Sequence, residues 1–247
     1  MRPLNVISYV LLLLLSFPVA ADLKLHGTRV VLDGAVQAGA IRISNTGDAP
    51  VLVQSWVGGG DADTKPELLR VPLTATTPMF RLNPGERRNI NVRVVEPGQL
   101  PLNRESLFWL NILDVPARTS DQSRTTVEQA VHVRLKVFHR PAGLPGKPEA
   151  AVDALQWRIG RSASGAPVLR ALNPCPYYVS LRTVTLNGRA LPVSAIDAAI
   201  PPFGEWSREL DQEPSAYSSH PSLQLAWIDD EGLVHEWTGH AESGTRE

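Results

Sequence analysis

The chain has 247 residues, with 24 lysines and arginines against 25 aspartates and glutamates, and a single cysteine. A balance this close to neutral argues against nucleic acid or an anionic membrane surface as partner, because either favours a basic stripe. One cysteine, Cys175, permits no disulfide within the chain, so stability has to come from buried core.

Residues 1–21, MRPLNVISYVLLLLLSFPVAA, read as a secretory signal peptide: one arginine, an apolar run from Val10 to Leu15, then small residues at Val19 and Ala21. Cleavage after Ala21 is expected. The apolar run falls far short of the roughly 20 residues that cross a bilayer, and no later segment approaches that length, so an exported protein that is not membrane-embedded is expected. Removing the leader deletes Arg2 and leaves 23 basic and 25 acidic residues in a mature chain of 226, a net charge of −2. That length suits two domains of ordinary size.

Beyond the leader, every element reads as strand. Thr28–Leu32 is β-branched and closes at the turn pair Asp33-Gly34; Ala40–Ser44 ends at Asn45-Thr46-Gly47-Asp48. Val51–Val57 alternates and is broken by Gly58–Gly60. Pro78–Leu82 runs into the turn Asn83-Pro84-Gly85-Glu86, and Asn89–Val95 alternates again. Ser106–Leu113 is the most apolar run. Thr125–Phe138 ends this first set of seven strands and is its longest member, at fourteen residues where five or six is usual. In it Val127, Val131, Val133, Leu135 and Val137 recur with period two, interrupted by Gln129, while Glu128, His132, Arg134 and Lys136 occupy the other face. Such a stretch is either the core strand of a sandwich or a strand that binds something along its length.

Pro141–Pro148, with three prolines and two glycines in eight residues, is the best linker in the chain. A second set of strands follows at Leu155–Ile159, Val168–Leu172, Tyr178–Leu186, Glu205–Leu210, Ser222–Ile228 and Val234–Trp237, with hairpin-like turns at Asn187-Gly188 and Asp230-Glu231-Gly232. The pattern predicts an all-β protein of two antiparallel sandwiches: a first domain over 22–140, a linker over 141–148 and a second domain over 149–247.

Motifs of catalysis are missing. There is no GxSxG, HExxH or P-loop. Asp61 and Asp63 after the glycine run repel phosphate, and the calcium-loop pattern there is incomplete. His235 and His240 lack a third ligand within reach, so neither a metal nor a cofactor is expected. Cys175, in NPCPYYVS, reads as a buried free thiol with no assignable histidine partner. The chain does not read as an enzyme.

The segments TRVVLDG (28–34), SNTGDAP (44–50), LNPGE (82–86), LNRESLFWLNILDVP (102–116), LKVFHRP (135–141) and NPCPYYVS (173–180) together resemble the periplasmic pilus chaperones, the PapD-like proteins of the chaperone–usher pathway. The resemblance covers nearly the whole mature chain, and RESLFWLN followed by LKVFHRP is its most specific part. It implies two immunoglobulin-like domains set at an angle like a boomerang, a pilin or fimbrial subunit as partner, and delivery of that subunit to an outer-membrane usher. By the same resemblance, Arg29 and Lys136 anchor the subunit's C-terminal carboxylate. Val127, Gln129 and Val131, with Val133 as a substitute, lie on the strand that fills the subunit's groove, although a large aliphatic residue is usual where Gln129 stands. Strict alternation puts Lys136 and Val131 on opposite faces, so a bulge or twist is expected between them if both touch the subunit. Glu105, Arg140 and Asp230 match charges that bridge the domains. The short, cysteine-free stretch from Val115 to Thr126 resembles the branch that serves rod-forming pili. A free strand edge also suggests self-dimerisation when no subunit is bound. The alternative reading is a secreted two-domain adhesin or structural module that shares only the sandwich.

Overall fold

A computed structural model describes residues 23–34, 36–61, 64–116, 130–194, 196 and 198–243. In chain order the first half contributes β1 (Leu23–Leu25), β2 (Arg29–Asp33), β3 (Ala38–Asn45), β4 (Val51–Gly58), β5 (Leu73–Ala75), β6 (Met79–Leu82), β7 (Arg87–Val94), β8 (Ser106–Pro116) and β9 (Val131–Arg140). These form two sheets, in the orders β1-β3-β7-β5 and β2-β9-β8-β4-β6. The alternation in the sequence explains the layering: Ile41, Ile43, Ile90 and Val92 from one sheet meet Val53, Leu82, Leu110, Ile112 and Val137 from the other in a single core.

The second half contributes β10 (Gln156–Arg161), β11 (Pro167–Leu172), β12 (Val179–Leu186), β13 (Arg189–Leu191), β14 (Ala199–Ile200), β15 (Glu205–Glu209), β16 (Ser222–Ile228), β17 (Val234–His240) and β18 (Glu242–Ser243). Its sheets, β15-β11-β10-β18 and β13-β12-β16-β17 with β14 beside β12, enclose a separate core around Trp157, Leu169, Leu181, Val184, Ile200 and Leu223. Two sandwiches of the immunoglobulin kind, each with its own core, are therefore present, as the sequence predicts.

The differences are local. Five strands of two or three residues, β1, β5, β13, β14 and β18, are too short to show a period. Each of four single-turn 3₁₀ helices opens on a proline, at Pro66, Pro97, Pro148 and Pro214, whose fixed φ suits a first helical turn. The long strand expected over Thr125–Phe138 begins at Val131 among the described residues and continues to Arg140; Thr125–Gln129 lie outside them. Its pairing with β8 is continuous from Asp114↔Val131 to Ser106↔His139, with no bulge between Val131 and Lys136. Cys175 is half-buried rather than buried, and burial pushes its thiol above the usual range.

The two halves meet along β2, the end of β9 and the loops of the second sandwich. Tyr177 donates its hydroxyl to the carbonyls of Leu144 and Gly146 at 3.3 and 3.2 Å, which ties the Pro141–Pro148 stretch to the second core. Gly232, in the β16–β17 turn, has φ +86°, and a Cβ there would lie 2.5 Å from Thr28 Oγ1 of the first half. Gly232→Ala is expected to destabilise the protein by about 1–3 kcal/mol, through a left-handed backbone that alanine resists and the clash with Thr28. A urea midpoint lowered at unchanged slope would report it.

Candidate functional site

β2 and β9 run parallel, and their register sets Arg29 directly beside Lys136. Adjacent residues in register share a sheet face. Here that face is the outer one, which β9 lines with His132, Arg134, Lys136, Phe138 and Arg140, while Val133, Leu135 and Val137 point to the first core. The sequence-derived division of this strand into two faces therefore holds over its described part.

Three aromatic contacts order the cations. Lys136 Nζ lies 6.0 Å from the Trp109 ring centre and the Arg134 guanidinium 4.7 Å from it, while Arg29 sits 5.8 Å over Phe138. Phe138, buried, packs in turn on Tyr178 of the second sandwich at 5.6 Å. Arg29 donates to the Ile228 carbonyl of the second sandwich at 3.0 Å, and Arg134 donates to the carbonyls of Gly59 and Gly60 at 3.3 and 3.1 Å. Burial pulls the Arg29 guanidinium below its ordinary value, against the pull of Asp230 and Asp229.

In front of these side chains lies a cleft of about 320 Å³ between the sandwiches, lined by Arg29, Arg134 and Lys136 from the first and by Leu181, Arg182 and Ala198 from the second. Among the described residues its lining holds four cations and no carboxylate. The acids sit behind Arg29, where Glu105, Asp229 and Asp230 border a cavity of about 20 Å³. The cleft side is thus an anion site: positive charge, partly desolvated, with an apolar wall from Leu181 and Ala198.

β9 continues from this cleft with one free edge. β2 pairs only with Lys136–Arg140, so among the described residues the stretch Val131–Leu135 is hydrogen-bonded to β8 alone. Val131 is 41% exposed, Val133 is half-buried against the first core and Leu135 is buried in it. Val127 and Gln129, expected on the same strand, lie outside the described residues.

The three bridging charges expected from the sequence do meet. Arg140 Nε donates to Glu105 Oε1 at 2.6 Å, a second guanidinium nitrogen reaches Asp230 Oδ2 at 2.8 Å, and Glu105 Oε2 accepts the Tyr178 amide at 2.7 Å. The Glu105 side chain is only 2% exposed, so this set is not a surface ion pair. Burial drags Arg140 down, but Glu105 and Asp230 outweigh it and hold the guanidinium above its ordinary value. A second contact crosses nearby, with Arg104 5.7 Å over the ring of Phe203, which holds φ +53° in the turn after Pro201.

Asp229, beside Asp230, accepts the Leu233 amide at 2.7 Å and His235 Nε2 at 2.5 Å. Burial works to raise its carboxyl, but the His235 bond and the turn amides win and hold it below the usual range. A depressed carboxylate contributes stability that is present above its unfolded value and lost as pH falls through the folded one. Asp229→Asn is therefore expected to lower stability at pH 7 and to flatten the decline of the unfolding midpoint below about pH 4, the ordinary carboxylate range.

Sequence reasoning missed Trp109, Arg182 and Asp229 as parts of this region. Arg134 was visible as the neighbour of Lys136 on one strand face. Arg182 had no signal, since a lone strand arginine reads as a solvated charge and the cleft forms only where the two sandwiches meet.

The chain matches the family described as pili and flagellar-assembly chaperone, PapD N-terminal domain, over residues 22–145, and pili assembly chaperone PapD, C-terminal domain, over 150–238. It is 35% identical over 190 residues to the probable fimbrial chaperone YadV of Escherichia coli K12, spanning 75% of this chain and 76% of that protein. It is 36% identical over 171 residues to the chaperone protein FimB/FhaD of Bordetella pertussis, spanning 68% of each. The crystal structure of the YadV chaperone superposes with a TM-score of 0.72 at 31% identity, over 89% of this chain and all of that one. A chain from the Salmonella enterica SafA pilin in complex with the SafB chaperone gives 0.72 at 25% identity, over 92% of this chain and 98% of that one. With both family domains matched along its length, this chain belongs to the PapD family of pilus-assembly chaperones.

Proposed function

We propose that this protein works in the periplasm, after removal of its leader, as a chaperone that holds pilin-type subunits by donor-strand complementation and hands them to an outer-membrane usher. The observation that carries the reading is the continuity of two features: the Arg29–Lys136 pair in a cation-lined cleft, and the half-paired edge of β9 that leads away from it. A subunit whose C-terminal carboxylate enters the cleft has its last strand laid along Val131–Leu135, where main-chain pairing extends the sheet. Val131 and the residues preceding it then supply side chains to the subunit's groove, while Lys136, on the other face, meets only the carboxylate. No bulge is needed, because the two contacts involve different parts of the partner.

The arrangement holds a subunit without nucleotide or cofactor. At the end of the outer face remote from the cleft, Leu52, Met79 and Val115 are exposed on adjoining strands and offer an apolar surface for the usher. In the absence of subunit, the β9 edge is open to a second copy of the chain. Arg140, Glu105 and Asp230 hold the sandwiches at the separation the cleft requires, with Pro141–Pro148 as the join between them.

Co-expression with a pilin-type subunit tests the reading. The subunit is expected to accumulate in the periplasm and to co-purify in a one-to-one complex through a tag on this chain. A subunit degraded equally with and without this chain, and absent from the purified material, would overturn it.

A further inference from the structure

The cleft carries more positive charge than one carboxylate requires. Although the chain as a whole is close to neutral, the described residues that line this one cavity include four cations and no acid. Arg29 and Lys136 are side by side and suffice for a chain terminus. Arg134 and Arg182 are the surplus.

Arg182 is an exposed residue of β12 that lines the cavity, at the point where the pairing of that strand shifts. The pairing of β12 with β16 runs Leu181↔Trp227 and then Thr183↔Ala226, so Arg182 is the extra residue of a bulge. Leu181 packs in the second core, and Arg182 points the other way, as alternation along a strand requires, so that it lines the cavity. Among the described residues no carboxylate pairs with Arg182, whereas Arg140, Arg158, Arg161 and Arg189 all have one.

Arg134 lies two residues before Lys136 on the same face of β9, hence about 7 Å away along the strand. A partner strand that ends at Lys136 and runs back along the β9 edge presents a side chain two residues before its terminus at this level. We infer that the cleft binds two anionic groups of the subunit: the terminal carboxylate at Arg29 and Lys136, and an acidic side chain within the last three residues at Arg182, with Arg134 lending its charge from the wall. The inference rests on the carboxylate reading above and adds a rule for the subunits this chain accepts.

The test uses the full-length mature chain and synthetic ten-residue peptides of alternating apolar residues with a free C-terminus. One carries Glu two positions before the end and its control carries Gln; affinities are measured by calorimetry. Wild type is expected to bind the Glu peptide about tenfold more tightly, as one charge-assisted hydrogen bond in a sheltered site allows. Arg182→Gln is expected to abolish that preference, so that the Glu and Gln peptides bind alike. Equal affinities in wild type, or a preference that survives Arg182→Gln, would overturn the inference. Amidation of the Gln peptide tests the anchor separately: if the amide binds as tightly as the free acid, the carboxylate reading fails, whatever the Glu/Gln comparison gives.

Discussion

Lys136→Ala is expected to cut the affinity for a subunit at least 30-fold while the chaperone itself stays folded. Removing one partner of a sheltered charge pair costs about 2–5 kcal/mol, and each 1.4 kcal/mol is tenfold. Arg29→Ala should cost as much, but its guanidinium also donates to the Ile228 carbonyl across the domain boundary, so part of its effect reflects the join between the sandwiches. Lys136→Ala is therefore the cleaner variant. The double variant should lose little more than either single one, because both cations serve one carboxylate. Recovery of subunit at wild-type yield by both single variants would rule out the anchor and leave the β9 edge as the sole attachment.

Arg140→Ala is expected to destabilise the protein by about 3–5 kcal/mol, the largest effect of any single change outside the two cores. The argument is one of an uncompensated charge. Glu105 is buried and accepts from Arg140 at 2.6 Å; burial already pushes its carboxyl above the usual range, with Arg140 and the Tyr178 amide holding it down. Without Arg140 the carboxyl rises further. A carboxyl whose folded value is raised favours the folded state below its unfolded value and loses that contribution as pH rises. The deficit of Arg140→Ala should therefore shrink as pH falls toward about 4, the ordinary glutamate range. Glu105→Gln in the Arg140→Ala background should restore part of the loss at pH 7. Urea unfolding of wild type and the two variants at pH 4 and pH 7 measures all of this. A destabilisation below about 1 kcal/mol at both pH values would place the network among ordinary surface ion pairs.

Much of this molecule was legible in its sequence because antiparallel sandwiches write their burial into a period of two. Val51–Val57 announced itself in that way and Ser106–Leu113 by its apolar run, and the strands observed there extend to Gly58 and Pro116. The turn at Asn187-Gly188, where both residues hold positive φ, was equally plain, since few other pairs adopt it. Arg29 beside Lys136 was a different matter: they are sequence-distant residues on parallel strands, and no spacing rule joins them. The pair came from the resemblance, and the register of β2 with β9 supplies its geometry. Glu105 was identified as a bridging charge, but its depth was not legible, because burial of a loop residue depends on the opposite domain's Pro176–Tyr178 segment closing over it. Arg182 was unreadable for a simpler reason: it is an exposed strand residue of the second half, and the cleft it lines exists only where the first half meets it.

Hydrogen–deuterium exchange along β9, with and without bound subunit, tests the central claim most directly. Edge pairing predicts that amides within Val131–Leu135 become protected in the complex while those already paired on both sides, Lys136–Arg140, change little. A stable complex in which Val131–Leu135 exchange as fast as in the free chain would contradict donor-strand binding and confine the partner to the cleft.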